Sequence, residues 1–567
     1  MTKRQEQRIL SKLRRRFGSA IRADFSPERV LLTGESDSWD DIVSACSLCA
    51  ERYSRRHVVN DIRFTGGEDA PMHSPSLKDD TLEGRHCDVL VIGGGITGCA
   101  ILRELTRWRL DALLIEKESD VAMGASSRND GQVHSGTDLS KGSLKQKYVI
   151  LGNCAYDQIC SELEVPFRRV GQYACFTSRF ARPLAELFAW QRRTVCGTRG
   201  TRVIGRKELY EREPELAPGF AFAVYDWSAG SVCPYGLTIA YAENAIQNGA
   251  AVSLNTVCLG MELSDGRITA VHTNRGTVYP RLVINAAGVY AEEIARMAGD
   301  RFYSIHPRKG SVAILDKKKS GFVRGIASDY SLSGAQKNTK GGGIVHTAHG
   351  NLLVGPDAVE TWEKENHATA RESIRGLFER KKRVSAQLSE RDIITWFTGV
   401  RAPTFEEDFI LEKGRATENL IHAAGIQSPG LTAAPAFAPD MAKLAVELLG
   451  GAERNCDFDP HRSGYGGLAG LPPEEREKRI RENGDYGVIV CRCEEISRGE
   501  ILDALRSPLC VPTVDGVKRR VRPGMGRCQG GFCQPLVSAV IAEFTGGSLL
   551  EVTKNGGESY LNCEVTK

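Results

Sequence analysis

Apolar and polar positions fall into a few clear patterns along the chain. In the segment DVLVI, residues 89–92 form an unbroken apolar run after Asp88, as a strand buried on both faces requires. The run leads into Gly93, Gly95 and Gly98. Helical spacing follows from Ala100 to Leu110, then a second short strand, Ala112 to Ile115, that ends at Glu116. Upstream, Ile9, Leu10, Leu13 and Phe17 lie at helical spacing beside a run of basic residues. RVLLTGES predicts a strand ending in a Gly turn, DDIVSACSLCAERYSRR a helix, and HVVNDIRF a second strand, so residues 1–66 read as a small α/β module. Residues 67–85 are rich in Gly, Pro, Ser and Asp, as a linker is. A large α/β body spans 86–450. A connecting segment, 451–485, holds a helix capped by the Pro pair of LPPEEREKRIREN. A compact Cys-containing unit (486–550) and a tail (551–567) complete the chain.

At 567 residues, 41% apolar and 26% charged, the composition is that of a multidomain globular protein. The balance of 75 basic against 71 acidic residues, a net +4, is too weak to make nucleic acid the partner. No uncharged apolar run reaches the roughly eighteen residues of a spanning helix. The basic first helix either packs its short stripe on its own module or touches anionic lipid; a stripe of two turns favours packing. The N-terminus has no apolar leader, and the 17 cysteines are an odd number. Both points fit free thiols in a reducing, cytoplasmic setting, so clustered cysteines read first as metal ligands. Cys46 and Cys49 form a C-x-x-C, but on an amphipathic helix with no second pair nearby, so burial is expected.

The glycine motif suits a dinucleotide. Gly93 permits the tight turn, Gly95 admits pyrophosphate to the backbone, and Gly98 lets the helix pack close to the sheet. Ile96 and Thr97 begin the helix whose positive end faces the phosphates. Glu116, followed by Lys117, is placed to accept both ribose hydroxyls and would repel a 2′-phosphate. At the other end of the chain, Cys491 and Cys493 form C-x-C, and Cys528 and Cys533 form C-x4-C within RCQGGFC. Four thiolates suit zinc or an iron–sulfur cluster. A single intervening residue is unusual for zinc, and the Gly-rich loop offers N–H groups to a sulfide-bearing cluster.

The body resembles the D-amino-acid-oxidase and glycerol-3-phosphate-dehydrogenase superfamily over about 360 residues, with motifs in family order. The resemblance rests on VLVIGGGITG, GASSRNDGQVHSGT (124–137), AGSVCPYGLTIAYAENAIQNGAAV (229–252), VINAAGVYAEEIA (283–295), IHPRKGSVAILD, HTAHGNLLVGPDA (346–358), FTGVRAPTFEEDFI (397–410) and HAAGIQSPGLTAAPAFA (422–438). It implies FAD, held also by Ala125, Ser126, Ser127 and Gly131, by the backbone at Val257, by Ala287 and Gly288, and by Gly425, Gly430, Leu431 and Thr432. It implies that the 229–252 segment is the substrate-domain helix and its following strand. It also implies that His134 lies close to the flavin, as general base or as a hydrogen-bonding group. His349 is a second candidate base, and Arg401 is the anchor for a carboxylate or phosphate unless Glu406, Glu407 or Asp408 claims it. Arg308 and Lys309 add positive charge and either serve a phosphate or only meet the surface. The cysteine unit resembles the BFD-like [2Fe–2S] domain, and the N-terminal module resembles BON.

The implied fold is a Rossmann-like FAD-binding domain interleaved with a β-rich substrate domain. The FAD-binding segments are 86–240, 283–300 and 395–450; the substrate domain is mainly 160–225 and 300–395. A flavin takes hydride and a [2Fe–2S] centre passes single electrons, so the order of modules reads as a dehydrogenase that hands electrons onward. That order is also found in the large chains of anaerobic glycerol-3-phosphate dehydrogenases, from which this chain departs by its N-terminal extension and by Cys233, where Asp is more frequent. The expected substrate is a small anionic secondary alcohol, sn-glycerol 3-phosphate or a 2-hydroxy acid. An imino- or amino-acid dehydrogenase and an electron-transfer subunit without its own substrate are the alternatives. The acceptor is a quinone or a partner redox subunit, in an oligomer or hetero-complex that is cytoplasmic or peripheral on the inner face of the membrane.

Overall fold

The computed structural model describes residues 3–51, 56–68, 70–330 and 342–564. Two large sheets organise the body. In the first, Ala251–Ser253, Ala112–Ile115, Arg85–Ile92, Gly276–Asn285 and Leu420–Ala424 lie side by side and parallel. Both faces are covered, which explains the unbroken apolar run: Val89, Leu90 and Val91 are all fully buried. The helices Ile96–Leu105, Leu144–Glu162, Pro234–Gln247 and Gly430–Leu448 build the core on one face. The long strand Gly276–Asn285 also closes an antiparallel meander with Arg267–Thr273 and Cys258–Ser264. The helix Pro234–Gln247 therefore corrects its sequence reading as a substrate-domain helix. It packs against Ile96–Leu105, and its following strand joins the first sheet.

Among the described residues the second sheet has nine strands. Its members come from two stretches of chain: Gln172–Phe176, Thr201–Gly205 and Phe222–Asp226 from the first, and Arg308–Leu315, Ile326–Asp329, Gly343–His346, Leu352–Gly355, Val359–Glu360 and Ile393–Arg401 from the second. The chain thus leaves the first sheet twice to build the second.

The N-terminal module has one strand more than its apolar pattern suggests. Arg29–Ser36 pairs antiparallel with Ile21–Phe25 and parallel with His57–Phe64. Ile21–Phe25 is short, with only Ile21 buried, so its pattern is faint. Nor does the Arg29–Ser36 strand end at Gly34. That residue sits mid-strand at φ +133°, where a Cβ would come within 1.9 Å of the Ala20 carbonyl oxygen. The first helix, Lys3–Phe17, buries Leu13 in its own module, the packing its short stripe favours. Cys46 and Cys49 are fully buried on Trp39–Cys49, which ends before residues 52–55, outside the described part of the predicted helix. The module docks through Glu406 of the body, which accepts the Val58 N–H at 2.8 Å and faces His57 Nδ1 at 3.2 Å.

The C-terminal unit has its own core of Val490, Ile501, Leu505, Val517, Val537 and Ile541, with Val552 from the tail. The connecting helix is Pro473–Glu482, with Pro at its first position.

Candidate functional site

One cavity of about 2280 Å³ lies between the two sheets and receives the glycine motif. Gly93, at φ +112°, turns so tightly that a Cβ would stand 2.5 Å from the Ala286 carbonyl oxygen. Gly98 does not reach the cavity. It lets the helix approach the strand, since a Cβ there would meet the Gly93 oxygen at 1.9 Å. At Gly95 the space is open apart from Ser126 Oγ, so a pyrophosphate could meet the backbone. Ile96 and Thr97 line the wall, and the Ile96 N–H donates to Ser126 Oγ at 2.8 Å. A second helix, Gly430–Leu448, also starts at the wall, with Gly430 and Leu431 exposed to the cavity. Two helix N-termini thus turn their positive ends inward, as phosphates and an electron-rich ring system require.

Glu116 stands at the strand end. Its Oε2 accepts the Gly94 N–H at 2.6 Å and its Oε1 the Glu118 N–H at 2.9 Å. Burial pushes its carboxyl above the ordinary value against those two donors. Lys117 also lines the cavity but is occupied by ion pairs with Glu118 and Glu365. Ala125, Val257, Ala287 and Gly288 sit at the wall; the Val257 N–H is already taken by Asn274 Oδ1 at 2.8 Å. Ser127, Gly131, Gly425 and Thr432 lie behind the lining. Gly131 and Gly425 hold turns at φ +65°, and buried Thr432 accepts the His134 N–H at 3.0 Å.

His134 is buried at the cavity wall, its carbonyl held by Asn153 Nδ2. Arg401 reaches the wall from the last strand of the second sheet. Burial pushes its guanidinium below the ordinary value, with Asp130 acting in the opposite sense. Its Nη2 donates to the Asp357 carbonyl at 3.1 Å. The carboxylates that could have claimed it serve elsewhere. Glu406 holds the N-terminal module, Glu407 pairs with Arg308 at 2.6 Å, and Asp408 accepts the Leu144 and Lys145 N–H groups. Arg308 is thereby corrected as a source of free positive charge, because Glu360 neutralises it as well. Lys309 is turned to Asn366.

His349 is also corrected. It does not line the cavity but lies half-buried near Arg522 and Lys317, at the junction with the C-terminal unit. Burial and those two cations push its ring well below the ordinary value.

Three sets of lining residues escape the sequence patterns. One is His367, whose Nδ1 is buried without a partner in the described structure, an orphan polar atom in the wall. Burial, then Arg128, pushes it from 6.5 to about 4. A ring held neutral in the fold binds fewer protons than the unfolded chain, so its stabilising contribution is present above pH 6.5 and lost as pH falls toward 4. The thermal midpoint of His367→Asn should therefore fall less than that of the unaltered protein between those pH values, as calorimetry would show. The other two sets are the supposed linker, residues 72–77, and the tail, residues 555–560; both line the same cavity.

The four candidate metal ligands come together at one edge of the C-terminal unit. Cys493 Sγ and Cys528 Sγ are 3.7 Å apart. Two sulfurs each about 2.3 Å from one tetrahedral metal stand about 3.8 Å apart. Cys491 and Cys533 form the second, buried pair. The four thiols thus fall into two contacting pairs that also act on each other electrostatically. That suits a two-iron cluster better than one zinc ion. Phe532 and Gly530 direct N–H groups at Cys528 and hold its thiol below the ordinary value. Gly526 allows the loop to close, since a Cβ there would strike Cys493 Cβ at 2.3 Å.

Comparison with known proteins agrees with both sites. Residues 88–448 match the family described as FAD dependent oxidoreductase, and residues 489–543 match the BFD-like [2Fe-2S] binding domain. The chain is 35% identical over 481 residues to a glycerol 3-phosphate dehydrogenase of Caloramator mitchellensis, covering 85% of this chain and 99% of the relative. It is 23% identical over 506 residues to a chain of the anaerobic glycerol-3-phosphate dehydrogenase of Escherichia coli (strain K12), covering 82% and 89%. Among solved structures, the FAD-bound L-alpha-glycerophosphate oxidase of Mycoplasma pneumoniae superposes with a TM-score of 0.61 at 24% identity, over 67% of this chain and 98% of that one.

Proposed function

The chain belongs to the FAD dependent oxidoreductase family, and from that premise we propose that this FAD- and [2Fe–2S]-dependent dehydrogenase oxidises sn-glycerol 3-phosphate. Arg401, a half-buried cation at the cavity wall whose described side-chain partner is a neutral carbonyl, is the observation that calls for an anionic substrate, and likeness to a glycerol 3-phosphate dehydrogenase favours the phosphate over a carboxylate. A dianionic phosphate gives it bidentate partners. When bound, FAD supplies the hydride acceptor and the cluster a one-electron exit.

The remaining work falls to side chains. Arg401 fixes the anion at one end of the substrate, which sets how far the reacting carbon lies from His134. His134 takes the hydroxyl proton, as an imidazole can near neutral pH. The Thr432 and Asn153 bonds to its backbone fix where its ring starts. Cys491, Cys493, Cys528 and Cys533 would hold the cluster. Rates with a dye acceptor test the substrate: kcat/KM should be highest for sn-glycerol 3-phosphate. A higher value for L-2-hydroxyglutarate or proline would replace this reading by the hydroxy-acid or the C–N reading.

The acceptor, in this reading, is reached at a membrane surface. No described helix is long and apolar enough to cross a membrane. The helix Arg182–Val195 carries its polarity reversed: Leu184, Leu187 and Trp190 are exposed, as is Phe180 just before it at 89%. Exposed Arg179, Arg182, Arg193 and Arg199 flank them, against Glu186 as the one acidic residue of the helix. Trp, Phe and Leu framed by arginines fit the interface of an anionic bilayer. Ala185 and Phe188, with Leu184 at the edge between the two faces, line the cavity. Wild-type protein should sediment with phosphatidylglycerol vesicles and L187E/W190E should not, with the flavin spectrum unchanged. Equal sedimentation of the two would remove this surface from the account.

A further inference from the structure

The tail belongs to neither matched family region, yet it reaches the cofactor cavity. Residues 553–560 (TKNGGESY) form a hairpin. Thr553 pairs with Tyr560, and the Lys554 N–H donates to the Ser559 carbonyl at 2.7 Å. Ser559 Oγ braces the turn, accepting the Asn555 N–H at 3.0 Å and donating to the Gly556 carbonyl at 2.6 Å. Its tip lies on Ser119, whose hydroxyl donates to the Asn555 carbonyl. Gly556, at φ +89°, lets the two backbones close, since a Cβ there would stand 2.5 Å from Ser119 Cβ.

Ser119 is three residues beyond Glu116, on the loop that returns to the glycine motif through the Ala122 N–H and the Gly94 carbonyl at 2.9 Å. A second grip on the same loop comes from the C-terminal unit. Arg519 and Arg520 each reach Asp120 at 2.9 Å. Burial opposes the Asp120 charge, but the two guanidinium groups outweigh it and hold the carboxyl below its ordinary value. Both grips share one origin. The arginines lie on the helix Val514–Val521, and the hairpin hangs from the start of that helix, where the Val514 and Asp515 N–H groups donate to the Thr553 and Lys554 carbonyls at 3.1 and 2.7 Å.

We propose that the hairpin 553–560 is a clamp on the adenosine end of bound FAD, so that the cysteine-bearing unit completes the flavin site it also drains of electrons. FAD binding and docking of this unit are then coupled in both directions. FAD is retained more tightly with the hairpin seated, and the hairpin is better protected with FAD present.

The test uses the full chain, deflavinated and rebound to either FAD or FMN, which lacks the adenosine half. Gly556→Val lifts the tip without touching the core of the unit. The expected result is an FAD dissociation constant raised about tenfold or more, with FMN affinity and iron content unchanged. FAD should also slow tryptic cleavage after Lys554 in the wild type, and FMN should not. Unchanged FAD affinity in the variant, an equal loss of FAD and FMN, or cleavage indifferent to FAD would each overturn the proposal. The wild type's own FAD binding, read in the same titration, keeps the identity of the cofactor separate from the role of the clamp.

Discussion

Arg401→Met is expected to lower kcat/KM for sn-glycerol 3-phosphate by about two to three orders of magnitude while the protein keeps its FAD. That magnitude follows from the surroundings of the side chain. A half-buried guanidinium paired only with a carbonyl has lost hydration that an anionic ligand restores, and removing one partner of such a charge pair costs up to about 3–5 kcal/mol. Met fills a similar volume, so the loss falls on binding and orientation rather than on packing. Arg401→Lys should recover only part of the rate, because an ammonium keeps the charge but not the two parallel N–H bonds. Steady-state kinetics with a dye acceptor, alongside the flavin content, checks both variants. A methionine variant within threefold of wild type would take the anchor role from Arg401.

Cys528→Ser is expected to separate the two halves of the reaction. Substrate should still bleach the flavin in the first turnover, because Cys528 is not among the residues that line the cavity. Iron should be lost, since removing a ligand exceeds the roughly 10–100-fold affinity cost of changes outside the ligand shell. Onward transfer to a one-electron acceptor should fall with the iron. Iron analysis and stopped-flow absorbance measure the two effects independently. Normal iron in this variant would contradict the ligand assignment.

The parts of the site legible in the sequence are those whose chemistry is local. Gly93, Gly95 and Glu116 are read from one strand–turn–helix–strand because a tight turn and a strand-end carboxylate have few other uses. The four cysteines are read from spacing alone. What was hidden depends on distant pieces of chain. His349 has a plausible motif around it but faces Arg522 rather than the cavity, because the C-terminal unit covers that end of the second sheet. Arg308 looks like a spare cation until Glu360 and Glu407, far along the chain, are folded onto it. His367 and residues 72–77 carry no periodic or motif signal, because a residue that lines a cavity from a loop needs none. The Gly pair in the tail was the one local hint of the hairpin at 553–560, and nothing nearby in sequence says that its partner is Ser119.

Cofactor order gives the account its central claim: electrons enter from the alcohol at the flavin and leave through the cluster. An anaerobic absorbance titration of the purified protein with sn-glycerol 3-phosphate tests it most directly. Loss of the flavin band followed by loss of the cluster's absorbance, with neither change in Arg401→Met at the same substrate concentrations, is the predicted result. Bands that stay unchanged with this substrate while dithionite reduces both centres would contradict it.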